Sequence, residues 1–167
     1  MSSVVTLQPA AVVYREEQYF DWRIYSFIAL GEMLTGLGLA RGRVWSLEFG
    51  LGLALGLLLL MIVIILLLHM TTEVTPTNLR VWFGWTPTYR RMVPIDTVRS
   101  VEVVTYRPIA DYGFWGIRSG QDGERALIAR GNRGVRLELT DGSKLLIGSQ
   151  KPELLAAALD RSLRSTI

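Results

Sequence analysis

The sequence VWSLEFGLGLALGLLLLMIVIILLLHM, which runs from Val44 to Met70, decides the broad architecture of this chain. Its central stretch, Phe49 to Leu68, contains no charged residue. As a helix it would extend about 30 Å, the thickness of a bilayer core. A core helix of that length in a soluble protein would carry a polar stripe, and this stretch has none. The segment 44–70 is therefore predicted to be a transmembrane helix.

A second hydrophobic segment, residues 24–40, precedes this one and reads IYSFIALGEMLTGLGLA. Only Arg41-Gly42-Arg43 connects the two, which favours neighbouring antiparallel helices. Aromatic residues typical of membrane interfaces flank the segments, namely Tyr19, Phe20, Trp22 and Tyr25 on one side and Trp45 and Phe49 on the other. We predict a two-helix transmembrane hairpin, 24–40 and 44–70, after an N-terminal segment 1–23. The alternative is an interfacial first helix.

Two ionisable residues fall within the hairpin or at its end. A carboxyl group at membrane depth is costly, so Glu32 is expected to face a partner or a watery pocket. It would contact another subunit or relay protons, or else stay protonated and hydrogen-bonded within the hairpin, for example to Thr35. His69 ends the second segment, where it would either ligate a ring cofactor or, as we favour, only solvate the helix end.

After Met70 the hydrophobic pattern changes to a period of two, which is typical of half-buried strands. The sequence LRVWFGW, from Leu79 to Trp85, shows this alternation most clearly. At the C-terminus, PELLAAALDRSLRS, Pro152 to Ser165, has leucines at every fourth position, as an amphipathic helix requires. Residues 71–167 are expected to form an α+β domain with about seven antiparallel strands and one closing helix.

The stretch GNRGVRLELTDGSKLLIGSQ, Gly131 to Gln150, suggests either a phosphate-binding loop or the turns of a sheet. Its glycines lead into a strand pattern, so no helix N-terminus follows to hold a phosphate. It also lacks the Lys-Ser/Thr of a P-loop and the third glycine of a dinucleotide fingerprint. Because Asp141-Gly142 is a strong hairpin signal, we interpret the stretch as the last turns of the sheet.

This order of segments resembles the small bacterial membrane-anchored proteins with a pleckstrin-homology-like (PH-like) domain. The most specific parts of the resemblance are Tyr106-Arg107-Pro108, Gly113 to Arg118, Gly131 to Val135 and Ile147 to Gln150. The resemblance implies a seven-stranded, strongly bent sheet capped by a C-terminal helix, which binds lipid headgroups or proteins and seldom catalyses anything. The basic signature of phosphoinositide-binding PH domains is replaced here by Thr75-Pro76-Thr77-Asn78, which argues against specific inositol-phosphate recognition.

The composition excludes several kinds of functional site. The chain has no cysteine and one histidine, which leaves no thiolate chemistry and no base for a nucleophilic triad. Its carboxylates are scattered over predicted strand ends and turns and do not cluster as a metal site requires. The net charge of +3 is too small to indicate nucleic acid. We expect no catalytic, metal or cofactor site, and neither a nucleic acid nor a small molecule as ligand.

Two groups of residues are candidate interaction sites. The glycine-rich sequence DYGFWGIRSG, from Asp111 to Gly120, carries the aromatic residues Tyr112, Phe114 and Trp115. These would insert into lipid headgroups or dock on a protein, or would fold back to plug one end of the sheet. The second group is basic and comprises Arg107, Arg118, Arg130, Arg133 and Arg136. If these converge they would attract lipid phosphates or an acidic partner; we expect them to be spread over two faces.

The leading hypothesis is a non-enzymatic membrane-anchored scaffold or accessory subunit. Its hairpin would pack against other membrane protein subunits, and its PH-like domain would present a binding face beside the bilayer. The alternative is a module that binds anionic lipid headgroups through the arginine and aromatic loops. The resemblance implies the bacterial cytoplasmic (inner) membrane. Basic residues near the spans, Arg15, Arg23 and Arg80 against Arg41 and Arg43, favour both termini in the cytoplasm.

Overall fold

The computed structural model describes residues 11–40, 47–85, 87, 89–120 and 123–165 of the chain. The predicted turn 41–43, Trp45 and Asp122 lie outside these residues. The described elements, in chain order, are β1 (Tyr14–Tyr19), α1 (Trp22–Ala40), α2 (Leu47–Leu67), β2 (His69–Val74), β3 (Asn78–Phe83), β4 (Tyr89–Pro94), β5 (Val98–Thr105), α3 (Pro108–Tyr112), β6 (Gly116–Ser119), β7 (Arg125–Ile128), β8 (Arg133–Leu139), β9 (Lys144–Gly148) and α4 (Pro152–Ser165).

The strands form two sheets. The first has the order β1-β2-β3-β4 and is antiparallel throughout. The second has the order β5-β8-β9-β7-β6, in which β7 and β9 run parallel and the other neighbours are antiparallel. With its four helices, the described part of the chain has a mixed α+β fold.

The predicted two-helix transmembrane hairpin is wrong. Two helices are present, but among the described residues only the segment Glu48–Leu67 of α2 is long and apolar enough to cross a membrane. α1 begins with Trp22 and Arg23 and also contains Ser26, Glu32 and three glycines, which make it too polar for a span by composition. The prediction gave too much weight to the aromatic flanks and too little to these polar positions.

The prediction of one bent antiparallel sheet of about seven strands is also wrong. The described residues form nine strands in two sheets, and one strand pair is parallel. The sequence pattern does not predict β1 or β6. The latter lies inside DYGFWGIRSG, whose first two residues complete α3. The resemblance to PH-like proteins itself stays a prediction.

β1 lacks a hydrophobic pattern because its buried face is polar. Glu16 and Gln18 are both buried on this strand. Glu16 accepts hydrogen bonds from the Ser149 hydroxyl at 2.6 Å and from the backbone N–H of Gln150 at 2.7 Å. The Gln18 amide donates to the carbonyl oxygen of Gly148 at 2.9 Å. These hydrogen bonds attach the N-terminal strand to the end of β9 and the segment before α4.

α1 and α2 are inserted between two neighbouring strands. β1 pairs antiparallel with β2, and Tyr19 lies opposite His69 where the helices leave the sheet. The pairing continues one step further, because the backbone N–H of Phe20 donates to the Leu68 carbonyl oxygen at 3.4 Å. The Tyr25 hydroxyl donates to the same carbonyl oxygen at 2.9 Å. The start of α1 and the end of α2 are thus held together, and the two helices run in opposite directions.

The predicted C-terminal helix is confirmed as α4, which packs on β5 and β8. Leu155 and Leu159 are fully buried on its inner face, and Ala158 lies between them. Leu137 of β8 and Leu146 of β9 are fully buried in the same core. Burying one such side chain stabilises a fold by about 1.5–3 kcal/mol, so α4 is an integral part of the core.

The predicted hairpin turn at Asp141-Gly142 is confirmed between β8 and β9. Gly142 has a φ of 81°, in the left-handed region that favours glycine, and its N–H donates to the Leu139 carbonyl oxygen at 2.9 Å. The Asp141 carboxylate accepts a hydrogen bond from the N–H of Ser143 at 2.8 Å. The glycine-rich stretch 131–150 therefore forms turns and strands of the second sheet.

Candidate functional site

The surface of α2 is apolar on every side. No part of the segment Glu48–Leu67 is buried, and Leu58 and Leu59 remain 57% and 59% exposed. The core helix of a soluble protein would cover at least one such face with other side chains. The described residues therefore leave most of the apolar surface of α2 exposed.

α1 lies alongside α2 and leaves most of its own surface open. A Cβ atom added to Gly36 would lie 3.7 Å from Leu57 Cδ1, which marks a line of contact between the helices. A Cβ added to Gly31, Gly38, Gly52 or Gly56 would meet nothing within 4 Å. These small-residue positions are therefore not used to pack α1 against α2, and the backbone there is accessible to another helix.

Glu32 lies on α1 and is half-buried. Its Oε1 atom is buried and has no hydrogen-bond partner in the described part of the chain. Thr35, the internal partner considered from the sequence, donates its hydroxyl hydrogen to the Gly31 carbonyl oxygen at 2.8 Å instead. Gly36, one turn further along α1, faces Leu57, so Glu32 lies on the α2-facing side of α1, where a buried carboxyl oxygen without a partner is costly.

His69 belongs to the sheet and not to a solvated helix end, so the interpretation that the sequence favoured is wrong. It is the first residue of β2 and is buried. Its Nε2 lies 3.7 Å from the Glu17 carboxylate, and its ring centroid lies 5.1 Å from that of Tyr19. These contacts are with β1, so His69 helps to join the first two strands.

The aromatic residues of DYGFWGIRSG are separated by the fold. Tyr112 and Trp115 are buried, with 8% and 7% of their surface exposed, whereas Phe114 is 38% exposed. Phe114 and Trp115 contact each other edge to face, with 5.1 Å between ring centroids. Gly113 has a φ of 77°, which permits the reversal of the chain after α3. Tyr112 and Trp115 thus belong to the hydrophobic core, and Phe114 remains partly exposed.

A partly buried ion pair contacts Tyr112, the first residue of the segment 112–115, which we call the aromatic loop. Glu124 accepts hydrogen bonds from the Tyr112 hydroxyl and from Arg136 Nε, both at 2.6 Å. Burial, together with the hydrogen bond to Glu124, raises the pKa of Tyr112 to about 12. The same carboxylate raises the pKa of Arg136 through its hydrogen bond. Arg136 is therefore committed to a structural contact and is not free to bind a ligand.

Three of the five basic residues singled out in the sequence, among them Arg136, are paired with acidic side chains. Arg107 forms an ion pair with Asp111, with 3.2 Å between Nη2 and Oδ1. Arg133 forms an ion pair with Glu153 of α4. Arg130 is exposed and has no acidic partner among the described residues. Arg107, Arg133 and Arg136 thus each have a carboxylate partner of their own.

Arg118 differs from the other arginines because it is attached to the aromatic loop. Its Nε donates to the Trp115 carbonyl oxygen at 3.2 Å, and its guanidinium carbon lies 5.9 Å from the centre of the Phe114 ring. It forms no ion pair with an acidic residue in the described part of the chain. The guanidinium is therefore positioned beside Phe114 with its outer nitrogens available.

A cavity of about 400 Å³ lies where the helices meet the sheets. It is lined by apolar residues from four segments of the chain, among them Ile24 of α1, Leu67 of α2, Phe83 of β3, and Phe114, Trp115 and Ile117 of the aromatic loop and β6. We call this space the junction cavity. Sequence reasoning missed it because residues so far apart in the chain show no common local pattern.

Two exposed tryptophans flank the same end of the helices. Trp22 is the first residue of α1 and is 68% exposed. Trp85 is 78% exposed, and its backbone N–H donates to the Leu66 carbonyl oxygen in the last turn of α2 at 3.3 Å. Tryptophan is enriched at the boundary between membrane and water, so this end of the helices has the composition of such a boundary.

We find neither a metal centre among the described residues nor a match of the chain to a known family. The described residues contain no group of three or more His, Asp or Glu side chains placed to hold a metal ion. The candidate site consists of the open surfaces of α1 and α2, Glu32, and the junction cavity with Phe114 and Arg118 at its edge. No protein-family model matches the chain, and no curated protein matches it significantly.

Proposed function

We propose that this protein is a non-enzymatic accessory subunit of a membrane protein assembly. In this proposal α2 crosses the bilayer, and α1 offers a face to a helix of another membrane protein. The observation that carries the proposal is the open side of α1, where a Cβ added to Gly31 or Gly38 would meet nothing within 4 Å, although α1 lies against the candidate span at Gly36.

The surface of α2 supports its placement in a bilayer. Its segment Glu48–Leu67 has a mean hydropathy of 3.0, and no residue of it is buried by the rest of the described chain. Exposed leucines in water would be a strong aggregation hazard, whereas lipid chains satisfy them at no cost. Trp22 and Trp85 at the sheet end of the helices supply the aromatic residues expected at the membrane boundary.

The surface of α1 supports a protein partner in preference to lipid alone. Lipid chains gain nothing from small residues on a helix, whereas a neighbouring helix packs closely over them. The open positions Gly31 and Gly38 lie on α1 and allow another backbone to approach closely. A helix too polar to be a span by composition is well suited to be covered by a second protein.

The absence of an enzymatic role is part of the proposal and rests on how the candidate catalytic side chains are used. Glu124 binds Tyr112 and Arg136, and Asp111 binds the backbone N–H and the guanidinium of Arg107. His69 lies on β2 and is buried beside Glu17 and Tyr19 of β1. Side chains held in this way have a structural role, and none of them lines the junction cavity.

The proposal is tested by site-specific photo-crosslinking in native membranes. A photoreactive amino acid at Leu34 of α1 is compared with one at Leu58 of α2, since these leucines are 58% and 57% exposed. Leu34 should give a discrete adduct with another membrane protein, and Leu58 should give mainly lipid adducts. Gly31→Leu should weaken the Leu34 adduct by at least about threefold, because Gly31 lies one turn from Leu34 and a larger side chain there holds a neighbouring helix away.

The result that would overturn the proposal is equally specific. If neither position gives a protein adduct and the gently extracted protein is a lone monomer, the accessory role is excluded. An adduct with the mass of two copies of this chain would show self-association in its place. Gly50→Leu is the matched control for Gly31→Leu, because Gly50 is equally open but lies on α2, and this variant should retain most of the adduct.

A further inference from the structure

We propose that the junction cavity binds one phospholipid molecule, with an acyl chain inside the cavity and the phosphate against Arg118. This inference rests on the proposed function only in that the end of α2 must lie in a bilayer. It adds a ligand and a binding site to the anchoring and partner contacts described above.

The size and the lining of the cavity fit an acyl chain. Its volume of about 400 Å³ falls within the range of about 300–1,000 Å³ that is usual for small-molecule sites. Every lining residue is apolar, aromatic or glycine. A water-soluble ligand would need several polar groups to fix its orientation, and the lining side chains offer almost none. A hydrocarbon chain needs only apolar contact.

The position of the cavity provides a route from the bilayer. Leu67, the last residue of α2, lines the cavity and is still 43% exposed. Phe114 and Ile117 also line it and are 38% and 41% exposed, so they form part of its rim. The lining of the junction cavity is therefore continuous with the lipid-facing surface of α2. An acyl chain can enter the cavity from the bilayer without crossing water.

Arg118 is placed to hold the headgroup. Its Nε is fixed by the Trp115 carbonyl oxygen and its guanidinium by the Phe114 ring, and both of these residues line the cavity. Arg107 and Arg133 are paired with acidic side chains, whereas no described acidic residue pairs with Arg118. In a phospholipid the phosphate lies at one end of the acyl chains. An arginine with free N–H groups beside an apolar cavity therefore offers a contact to each of these two parts.

The inference is tested with the full chain in lipid nanodiscs that contain phosphatidylcholine, phosphatidylglycerol and a small fraction of phosphatidylcholine with a diazirine on one acyl chain. Crosslinked positions are identified by peptide mass spectrometry. Crosslinks on α2 report contact with the bulk bilayer. Crosslinks on Phe83 and Ile117, which lie outside α1 and α2, report a chain in the cavity, and we expect both kinds.

Ile117→Trp tests whether the crosslinks on Phe83 depend on the cavity. Ile117 lies on β6, an edge strand, and is partly exposed, so a larger side chain can be accommodated while it fills part of the cavity. We expect the Phe83 crosslinks to fall by about tenfold relative to those on α2. The matched control is Ile109→Trp, since Ile109 is 60% exposed on α3 and does not line the cavity.

Arg118→Gln tests the phosphate contact without changing the cavity. An exposed ion pair contributes little, so we expect the Phe83 crosslinks to fall by only about twofold to fivefold. Arg130→Gln is the control, because Arg130 is exposed and does not contact the cavity. This second variant lies on the surface and keeps the proposal testable if Ile117→Trp does not fold.

Three outcomes would overturn the inference. Crosslinks confined to α2 would show that lipid surrounds the helix but does not enter the cavity, which leaves the proposed function intact. Crosslinks on Phe83 that persist unchanged in both Ile117→Trp and Arg118→Gln would show only contact with bulk lipid. If α2 gives no lipid crosslinks either, the membrane placement itself is wrong, and the inference fails with it.

Discussion

The sheets and the helix pair contain the same kinds of apolar side chain but place them oppositely. Leu137 of β8 and Leu146 of β9 are completely buried, whereas Leu58 and Leu59 of α2 are more than half exposed. In the sheets, polar residues alternate with apolar ones and one face is covered by α4. In α2 no polar residue follows Glu48, and the described chain leaves most of the helix exposed apart from its contact with α1. The difference shows that pattern, and not composition, decides where a leucine is placed.

The largest expected effect is a difference in unfolding free energy between truncating a buried leucine of the sheets and an exposed leucine of α2. Leu137→Ala should destabilise the sheets by about 2–5 kcal/mol, because it removes buried apolar contact and leaves a cavity. Leu58→Ala removes the same atoms from an exposed position and should change the unfolding free energy by less than about 0.5 kcal/mol. Urea unfolding of the full chain in mild detergent, followed by circular dichroism, measures both. Equal losses would mean that α2 is covered within the folded chain.

The next effect is on membrane insertion, which an added charge should weaken in α2 but not in α4. Leu58→Arg places a charge near the middle of the candidate span, which costs about 2.5–3.5 kcal/mol of insertion free energy. We expect a large fraction of the protein to leave the membrane pellet on alkaline extraction. Leu154→Arg on α4 is the control, because Leu154 is 56% exposed and lies on the helix that closes the sheets. Release of the control variant to the same extent would argue against α2 as the membrane anchor.

A smaller effect is confined to the sheets and depends on pH. Burial, with the hydrogen bond to Glu124, raises the pKa of Tyr112 from 10.0 to about 12. A tyrosine whose pKa is raised in the folded state stabilises the fold below its unfolded pKa, and that contribution is lost as pH rises from 10 to 12. Tyr112→Phe should therefore lose less stability over this range than the natural chain. Urea unfolding at pH 9 and pH 11.5 measures the difference, and equal losses would contradict a buried Tyr112–Glu124 contact.

The smallest expected effect concerns the ion pair between Arg133 and Glu153. Both side chains are about half exposed, with 49% and 60% of their surface accessible. Solvent screens such pairs, so Arg133→Ala should shift the midpoint of thermal unfolding by no more than about 2 °C. A markedly larger shift would mean that this pair, and not burial alone, holds α4 on the sheets.

The elements predicted correctly are those with a strong local pattern. α2 follows from an uninterrupted apolar run, α4 from leucines at every fourth position, and the β8–β9 turn from Asp141-Gly142. Each pattern needs only neighbouring residues to specify it. Local sequence patterns therefore predict these three elements but do not predict the number of strands and sheets.

The features that were missed depend on distant partners. β1 is a strand because Glu16 is satisfied by Ser149 and Gln150, more than a hundred residues away. The parallel pairing of β7 with β9 likewise has no local signal. The aromatic loop could be identified, but only the fold shows that Trp115 turns inward and Phe114 stays exposed. Residues of four segments form the junction cavity, so no window of sequence contains it.

The pairing of β1 with β2 has a practical consequence for the design of variants. Phe20 and Leu68 still hydrogen-bond to each other across the two strands, so α1 and α2 occupy the place of a turn in a β-hairpin. Replacing residues 21–67 with a two-residue Asn-Gly turn would connect the strands in the register that they already have. Such a shortened chain would retain every strand pair of both sheets and lose all of the exposed apolar helix surface. The helix pair is, in this sense, a removable module, and the sheets and α4 could be studied in water by themselves.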